Sequence, residues 1–399
     1  MNSRQKELVT ATVPTLQAAG RILTAHFYKR MLNRHPELKE TFNMGNQANG
    51  RQNEALAGAV LAYAEHIENP SVLIDVLKGI GNKHVSLNIQ PEQYAIVGEN
   101  LVASIGEVLG EAATPELLDA WTVAYNELAA IMSGLEKEMY KANDEKLGAW
   151  NGWRQFTIKE IVEESTEIKS FYLYPSDGKP IADYQPGQYI SVQVFVEELG
   201  LKQPRQYSLS GAHNPEYYRI SVKREQGIQG SPVGMVSNTL HKKQAGDTVM
   251  LSAPAGIFSL KESGTPIVLI SGGIGVTPML SMLETNKNNA QAKTVWVHGY
   301  RNASVHAFRD VVDTIEKESE WLETYLFNEA PEEGHTDKVI KGRVDLNHCK
   351  DAILLENAHY YICGPEMFIK AHYQSLIDMN VSKQNIFYEE FGPQSIRLN

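Results

Sequence analysis

Along the first third of the chain, apolar side chains recur every three or four positions, the spacing that lines one face of a helix. Helices fit 3–18, 20–35, 51–67 and 71–86, the last with Leu73, Leu77, Ile80 and His84 on one stripe. A longer helix starts at Pro91 and carries Tyr94, Val97, Leu101, Ile105 and Val108 on one face. Another opens at Thr114-Pro115-Glu116, which supplies a capping hydroxyl, a proline at the first helical position and an acid in the first turn. It continues through Leu117, Trp121, Tyr125, Leu128, Met132 and Leu135. Residues 1–142 thus read as an all-α domain. Residues 143–153, with weak periodicity and two glycines, read as a linker.

From residue 154 the period falls to two. Strands fit 156–164, 168–174, 188–196, 205–210, 217–224 and 247–252, with Pro/Gly turns between them. Six short strands and little helix predict an antiparallel β-barrel over 154–259. Beyond Ser259 the elements alternate: strands at 266–270, 293–299, 321–328, 359–363 and 385–391, with helices at 304–318 and 365–379. That alternation predicts an α/β doubly wound parallel sheet over 260–399. The expected fold class is multi-domain: all-α, then antiparallel barrel, then α/β.

Composition narrows the classes of function. A net charge of -11 gives no basic footprint for nucleic acid and makes an anionic membrane surface a poor partner. Two cysteines, Cys349 and Cys363, exclude a disulfide scaffold and suit a reducing compartment. The residues after Met1 lead into no apolar signal core, and no run approaches the roughly 18 apolar residues of a membrane helix. The expectation is a cytoplasmic protein with no obligatory membrane contact and no required protein partner.

Four short motifs carry chemistry in the last two thirds. In Ser271-Gly272-Gly273-Ile274-Gly275-Val276-Thr277-Pro278, glycines follow a buried strand and open a helix, where backbone amides can approach a phosphate. Thr277 reads as the cap and Pro278 as the first helical residue. A tight strand-to-helix turn explains the same residues equally well, since Pro278 replaces the third glycine of the dinucleotide fingerprint. In Arg205-Gln206-Tyr207-Ser208, Arg205 and Tyr207 share a strand face. A guanidinium suits a pyrophosphate and a flat ring suits a flavin, but a cross-strand Arg–Tyr pair needs no cofactor. Cys363-Gly364-Pro365 ends a strand, where ligands gather in open α/β sheets; a buried inert thiol is the plain alternative. Tyr388-Glu389-Glu390-Phe391 near the carboxyl end reads as site or as surface.

The order of these parts over 154–399 resembles the ferredoxin–NADP reductase family. The resemblance implies FAD on the barrel, its ring beside Tyr207 and Ser208, its phosphates near Arg205, with Gln206 in the same run. It places Tyr189 by the adenosine side of FAD and Ser237 at a second phosphate contact. Nicotinamide dinucleotide would sit on the parallel sheet, against Gly272, Gly273, Gly275, Thr277, Pro278, Cys363, Gly364 and Pro365. Phe391 would cover the flavin where nicotinamide enters, with Glu389 beside it.

In the helical third, His84 alone of His26, His35, His66 and His84 lies on a buried stripe, which suits a haem ligand or a hydrogen-bonded core histidine. The run Thr24-Ala25-His26-Phe27-Tyr28, then Phe42, Gln52 and Leu56, Lys83-His84, Tyr94 and Glu136 resembles the globin domain of flavohaemoglobins, and with the reductase half the resemblance spans the chain. It implies haem b held through iron by His84, a distal pocket of Tyr28, Gln52 and Leu56, and Phe42 packed on the haem. It also implies Tyr94 and Glu136 behind the histidine and Lys83 at the haem edge. Glu138 is an alternative to Glu136, although half a turn away.

The implied activity is nitric oxide dioxygenation: NAD(P)H reduces FAD, FAD reduces haem, and O₂ and nitric oxide become nitrate. Two other readings use the same parts: a haem-based gas sensor, and an NAD(P)H-dependent reductase of peroxides, ferric chelates or quinones. NADH and NADPH are both open as donors, since Arg301 after the second strand of the parallel sheet reads as a 2′-phosphate contact or as a solvated arginine.

Overall fold

The computed structural model describes residues 1–42, 44, 51–227, 233–261, 264–289, 291–330 and 339–392, without the side chains of 16, 19 and 51–57. Helix α1 (Ser3–Ala11) begins with a reciprocal capping box between Asn2 and Gln5. The chain breaks at Thr12 and restarts as α2 (Val13–Arg34), so the expected break at residue 19 is wrong. Pro14 decides it: without an N–H it fits only a first helical turn, whereas Gly20 is tolerated inside α2. Then come α3 (Arg51–Glu65), α4 (Ile74–Ser86), α5 (Pro91–Leu109) and α6 (Pro115–Glu145). Thr114 caps α6 by accepting from Leu117 N at 3.2 Å. Phe27, Met31, Leu101, Ile105, Trp121 and Met132 fill the centre of this bundle.

Helix α6 runs three residues into the stretch read as a linker. Apolar periodicity fades there because the end of the helix is exposed, not because the helix stops. Asn151 folds back to hold it, donating to Tyr140 O (3.1 Å) and Asp144 Oδ1 (2.7 Å).

The barrel consists of β1 (Arg154–Glu163), β2 (Ile168–Pro175), β3 (Tyr189–Val196), β4 (Leu201–Ser208), β5 (Tyr218–Lys223) and β6 (Thr248–Leu251). Their order is β4-β3-β6-β1-β2-β5, every pair antiparallel. A bridge between Leu209 and Ile220 brings the two outer strands together. Helix α7 (Met235–His241), not anticipated, packs Val236 and Leu240 into the barrel core; seven residues are too few for a clear period.

The second sheet holds β7 (Ile267–Gly272), β8 (Thr294–Tyr300), β9 (Leu322–Asn328), β10 (Val339–Lys341), β11 (His359–Gly364) and β12 (Ile386–Glu390). All pairs are parallel, in the order β10-β9-β8-β7-β11-β12. Helices α8 (Val276–Asn288), α9 (Arg309–Glu318), α10 (Lys350–Ile353) and α11 (Glu366–Asp378) connect the strands. Helix α9 starts five residues later than the pattern suggested, because Phe308 sits at φ 62, outside the helical region. The direction of winding reverses between β7 and β11, the crevice where open α/β sheets bind ligands. Among the described residues no helix is long and apolar enough to cross a membrane.

Candidate functional site

Helix α4 carries His84 toward α5 and α6. Its Nδ1 lies 2.7 Å from Glu136 Oε1 and 3.0 Å from Tyr94 Oη. Tyr94 O–H donates to the same carboxylate oxygen at 2.6 Å. Glu136 is 2% exposed, whereas Glu138 faces solvent, so of the two acids only Glu136 reaches the histidine. Burial pushes the Tyr94 hydroxyl pKa up, helped by Glu136, so the phenol stays a donor. Tyr125 O–H donates to Tyr94 O (2.7 Å) and Tyr140 O–H to Ile89 O (2.6 Å), bracing the α5 start. A carboxylate accepts from Nδ1–H, which leaves the proton-free lone pair on Nε2. That donor set fits a haem iron.

Tyr28 on α2 is 6% exposed, with its ring edge-on to Phe42 at 5.6 Å. Gln52 and Leu56 were expected beside them; their side chains lie outside the described residues.

At the junction of the three domains, Lys83 Nζ donates to Gly392 O at 2.7 Å. Burial lowers the Lys83 pKa, with Glu389 and Glu390 opposing and Arg205 reinforcing. Burial raises the Glu389 carboxyl to about 7, Lys83 pulling it down and Glu390 pushing it up. Three serines join the haem-side helix to the barrel. Ser191 Oγ donates to Ser86 Oγ (2.9 Å) and accepts from Gln206 Nε2 (3.0 Å), while Ser191 N donates to Ser252 Oγ (2.9 Å). Gln203 reaches Lys39 O (2.7 Å), and Gly256 N donates to Asn82 Oδ1 (3.1 Å). Of these, Ser86, Ser191, Ser252, Gln203, Gly256 and Asn82 were not singled out from sequence, since nothing local marks a partner a hundred positions away.

On the barrel, β3 and β4 set Tyr189 opposite Ser208 and Ile190 opposite Tyr207. Gly256, at φ 109, lets the Tyr189 ring lie on the backbone: a Cβ there would stand 2.8 Å from it. Arg205 donates to Pro204 O at 2.6 Å, and burial brings its pKa down to about 10. Among the described residues no carboxylate pairs with Arg205, and Lys83 adds a second cation to its field. Such a partner-poor guanidinium fits a pyrophosphate. Ser237 Oγ donates to Gly234 O (2.9 Å) and accepts from Glu225 N (3.2 Å), tying the first turn of α7 to the segment after β5.

At the switch point, Gly273 stands at φ 55 with open space where a Cβ would be, leaving its backbone approachable. A Cβ on Gly275 would fall 2.2 Å from Cys363 O, so only glycine lets the loop touch the end of β11. The capping expectation is corrected: α8 begins at Val276, Pro278 is its third residue, and Thr277 Oγ1 donates to Ile274 O at 3.0 Å instead of accepting from an amide. A proline is harmless there because amides of the first turn have no partner within the helix. Gly364 precedes α11, and Pro365 is the residue before its first turn. Cys363 is buried, which pushes its thiol pKa well up, and it sits in register with Glu389 on β12. Phe391 follows β12, 40% exposed. Arg301 is not a free surface arginine: its Nη2 lies 2.6 Å from Glu167 Oε2 on the barrel.

Residues 25–132 match the globin family model and residues 269–374 the oxidoreductase NAD-binding domain. The chain is 49% identical to a flavohemoprotein of Rhizobium meliloti, covering 98% of both chains, and 48% identical to one of Bordetella pertussis, covering 97% of both. It is similar in structure to a flavohemoglobin from Malassezia yamatoensis with bound FAD and heme (TM-score 0.86, 27% identity, 98% of this chain and 99% of that one). It also resembles the flavohem-like FAD/NAD-binding domain of a nitric oxide dioxygenase from Vibrio cholerae (TM-score 0.55, 37% identity, 60% of this chain and 99% of that one).

Proposed function

The chain belongs to the flavohaemoglobin family, and from that premise we propose that it is an NAD(P)H-dependent nitric oxide dioxygenase binding haem b and FAD. The observation that carries the reading is the 2.7 Å contact between His84 Nδ1 and buried Glu136, on the same chain as a coenzyme sheet. FAD supplies the conversion of a two-electron hydride into single electrons, and haem supplies an iron that accepts them and activates O₂.

The chain's own residues do the rest. Glu136 and Tyr94 hold His84 in one tautomer and one orientation, and the carboxylate makes the imidazole a more electron-rich ligand. Tyr28 offers a buried phenolic donor for charge developing on oxygen, with Gln52 in support. Phe42, packed edge-on against the Tyr28 ring, keeps its side of the pocket apolar, which admits nitric oxide and excludes water. Tyr207 and Ser208 orient the flavin and Arg205 neutralises its phosphates. Gly273 and Gly275 let the coenzyme pyrophosphate approach β7, while Glu389 and Phe391 line its entry. Lys83 bridges the haem edge and the carboxyl-terminal segment.

Nitric oxide decay at an electrode, aerobically, with and without NADH, tests this on haem- and FAD-replete protein. Rapid decay that needs both NADH and O₂, with nitrate as product, is expected. Persistence of nitric oxide while NADH still reduces the haem would instead assign the chain to gas sensing or to reduction of another acceptor.

A further inference from the structure

The glycine loop after β7 marks where the coenzyme pyrophosphate lies, and the next strand of such a sheet ends at the adenosine ribose. That strand is β8, and Arg301 is the residue directly after it. Two backbone bonds set its position from the sheet side: Glu329 N donates to Tyr300 O (3.1 Å) and Ala330 N to Arg301 O (3.0 Å). An arginine in this position suits a 2′-phosphate. Here it is taken.

Glu167, in the turn between β1 and β2, lies 2.6 Å from Arg301 Nη2, and its side chain is 19% exposed against 59% for the arginine. The turn is pinned on both sides. Thr166 N and Oγ1 each donate to Ser304 O at 3.0 Å, in the loop after Arg301. Arg224 N donates to Glu167 O at 2.7 Å. Arg343, just past β10, is likewise engaged, 3.3 Å from Glu329 at the end of β9. A 2′-phosphate arriving here meets a neutralised guanidinium and a fixed carboxylate, whereas a ribose hydroxyl meets no repulsion.

We propose that Glu167 determines coenzyme choice: by holding Arg301 it favours NADH and rejects the 2′-phosphate of NADPH. The discriminating acid thus comes from the barrel and not from the sheet that binds the coenzyme. The inference rests on the coenzyme site at β7 and β8 and is independent of what the haem does.

The test measures 2′,5′-ADP and 5′-AMP binding by calorimetry on full-length holoprotein, alongside stopped-flow flavin reduction by NADPH and NADH. Glu167→Gln should raise the affinity for 2′,5′-ADP relative to 5′-AMP about tenfold, the scale of one charge contact at a protein surface. The NADPH-to-NADH ratio of flavin reduction should move the same way. Glu167→Asp, which keeps the charge, should retain the original preference, and Glu167→Gln with Arg301→Ala should lose the gain. An unchanged nucleotide ratio in Glu167→Gln overturns the proposal, as does a gain that survives the loss of Arg301. Binding of neither nucleotide removes the coenzyme site itself, whatever the nitric oxide assay shows.

Discussion

Two acids of this chain stand in contrasting surroundings. Glu136 lies inside the helical domain and accepts from Tyr94 and His84 through one oxygen, at 2.6 and 2.7 Å. Glu389 lies where the three domains meet, and what it has is the field of Lys83, offset by Glu390 beside it. The first acid is held by hydrogen bonds from groups on two other helices, so its charge has a defined recipient. The second is half-buried with no hydrogen bond to its carboxylate among the described residues, and burial raises its pKa to about 7, so it keeps its proton up to near neutrality. At Glu136 packing has set donors on the carboxylate; at Glu389 neighbouring charges act on it from a distance. A rigid orienting role suits the first environment and a role in entry or transfer suits the second.

The contrast breaks most visibly at Glu136. Glu136→Ala should lower nitric oxide turnover by roughly 10–100-fold, the usual cost of losing a group that orients a metal ligand. Haem content, measured by pyridine haemochrome, should fall less; equal turnover would remove Glu136 from the proximal role. Tyr28→Phe comes next. It keeps the ring packed on Phe42 and deletes one donor, so oxygen dissociation in flash photolysis should quicken about tenfold, given roughly 1.5 kcal/mol for a hydrogen bond to a charge-bearing partner. An unchanged rate would place the donor elsewhere.

At the junction the expected effect is a matter of pH. The Glu389 carboxyl is raised from 4.5 to about 7 in the folded protein. Below pH 4.5 it is neutral in both states and costs nothing. As pH rises from there to 7 the unfolded chain ionises first, so folding stability falls, and it levels off above 7. Urea denaturation midpoints of Glu389→Gln should therefore gain on the parent across that window and run parallel above it; parallel midpoints throughout would contradict the burial of this acid. The smallest effect belongs to Ser191→Ala, which strips an acceptor from Gln206 and a donor from Ser86 and should cost about 1 kcal/mol in the same denaturation experiment.

Much was legible without coordinates. Helical periodicity located α4, α5 and α6, and alternation separated the barrel from the parallel sheet, because burial of one face leaves a period in the residues that form it. His84 on an apolar stripe and the glycines after β7 were visible for the same local reason. Element ends were less so. Pro14, not Gly20, broke the first helix, and α6 outlived its apolar stripe.

The sequence by itself determined most of the stretches that become helix or strand, short elements such as α7 and β10 apart, and which residues have the chemistry to bind a metal or a phosphate. Tertiary structure alone decided that Glu136 and not Glu138 reaches His84, that the Ser86–Ser191 bond crosses a domain boundary, and that Arg301 is answered by Glu167. The reason is physical: backbone propensity and periodicity act over a few residues, whereas each of these contacts joins positions 52 to 134 apart, brought together only when whole elements pack.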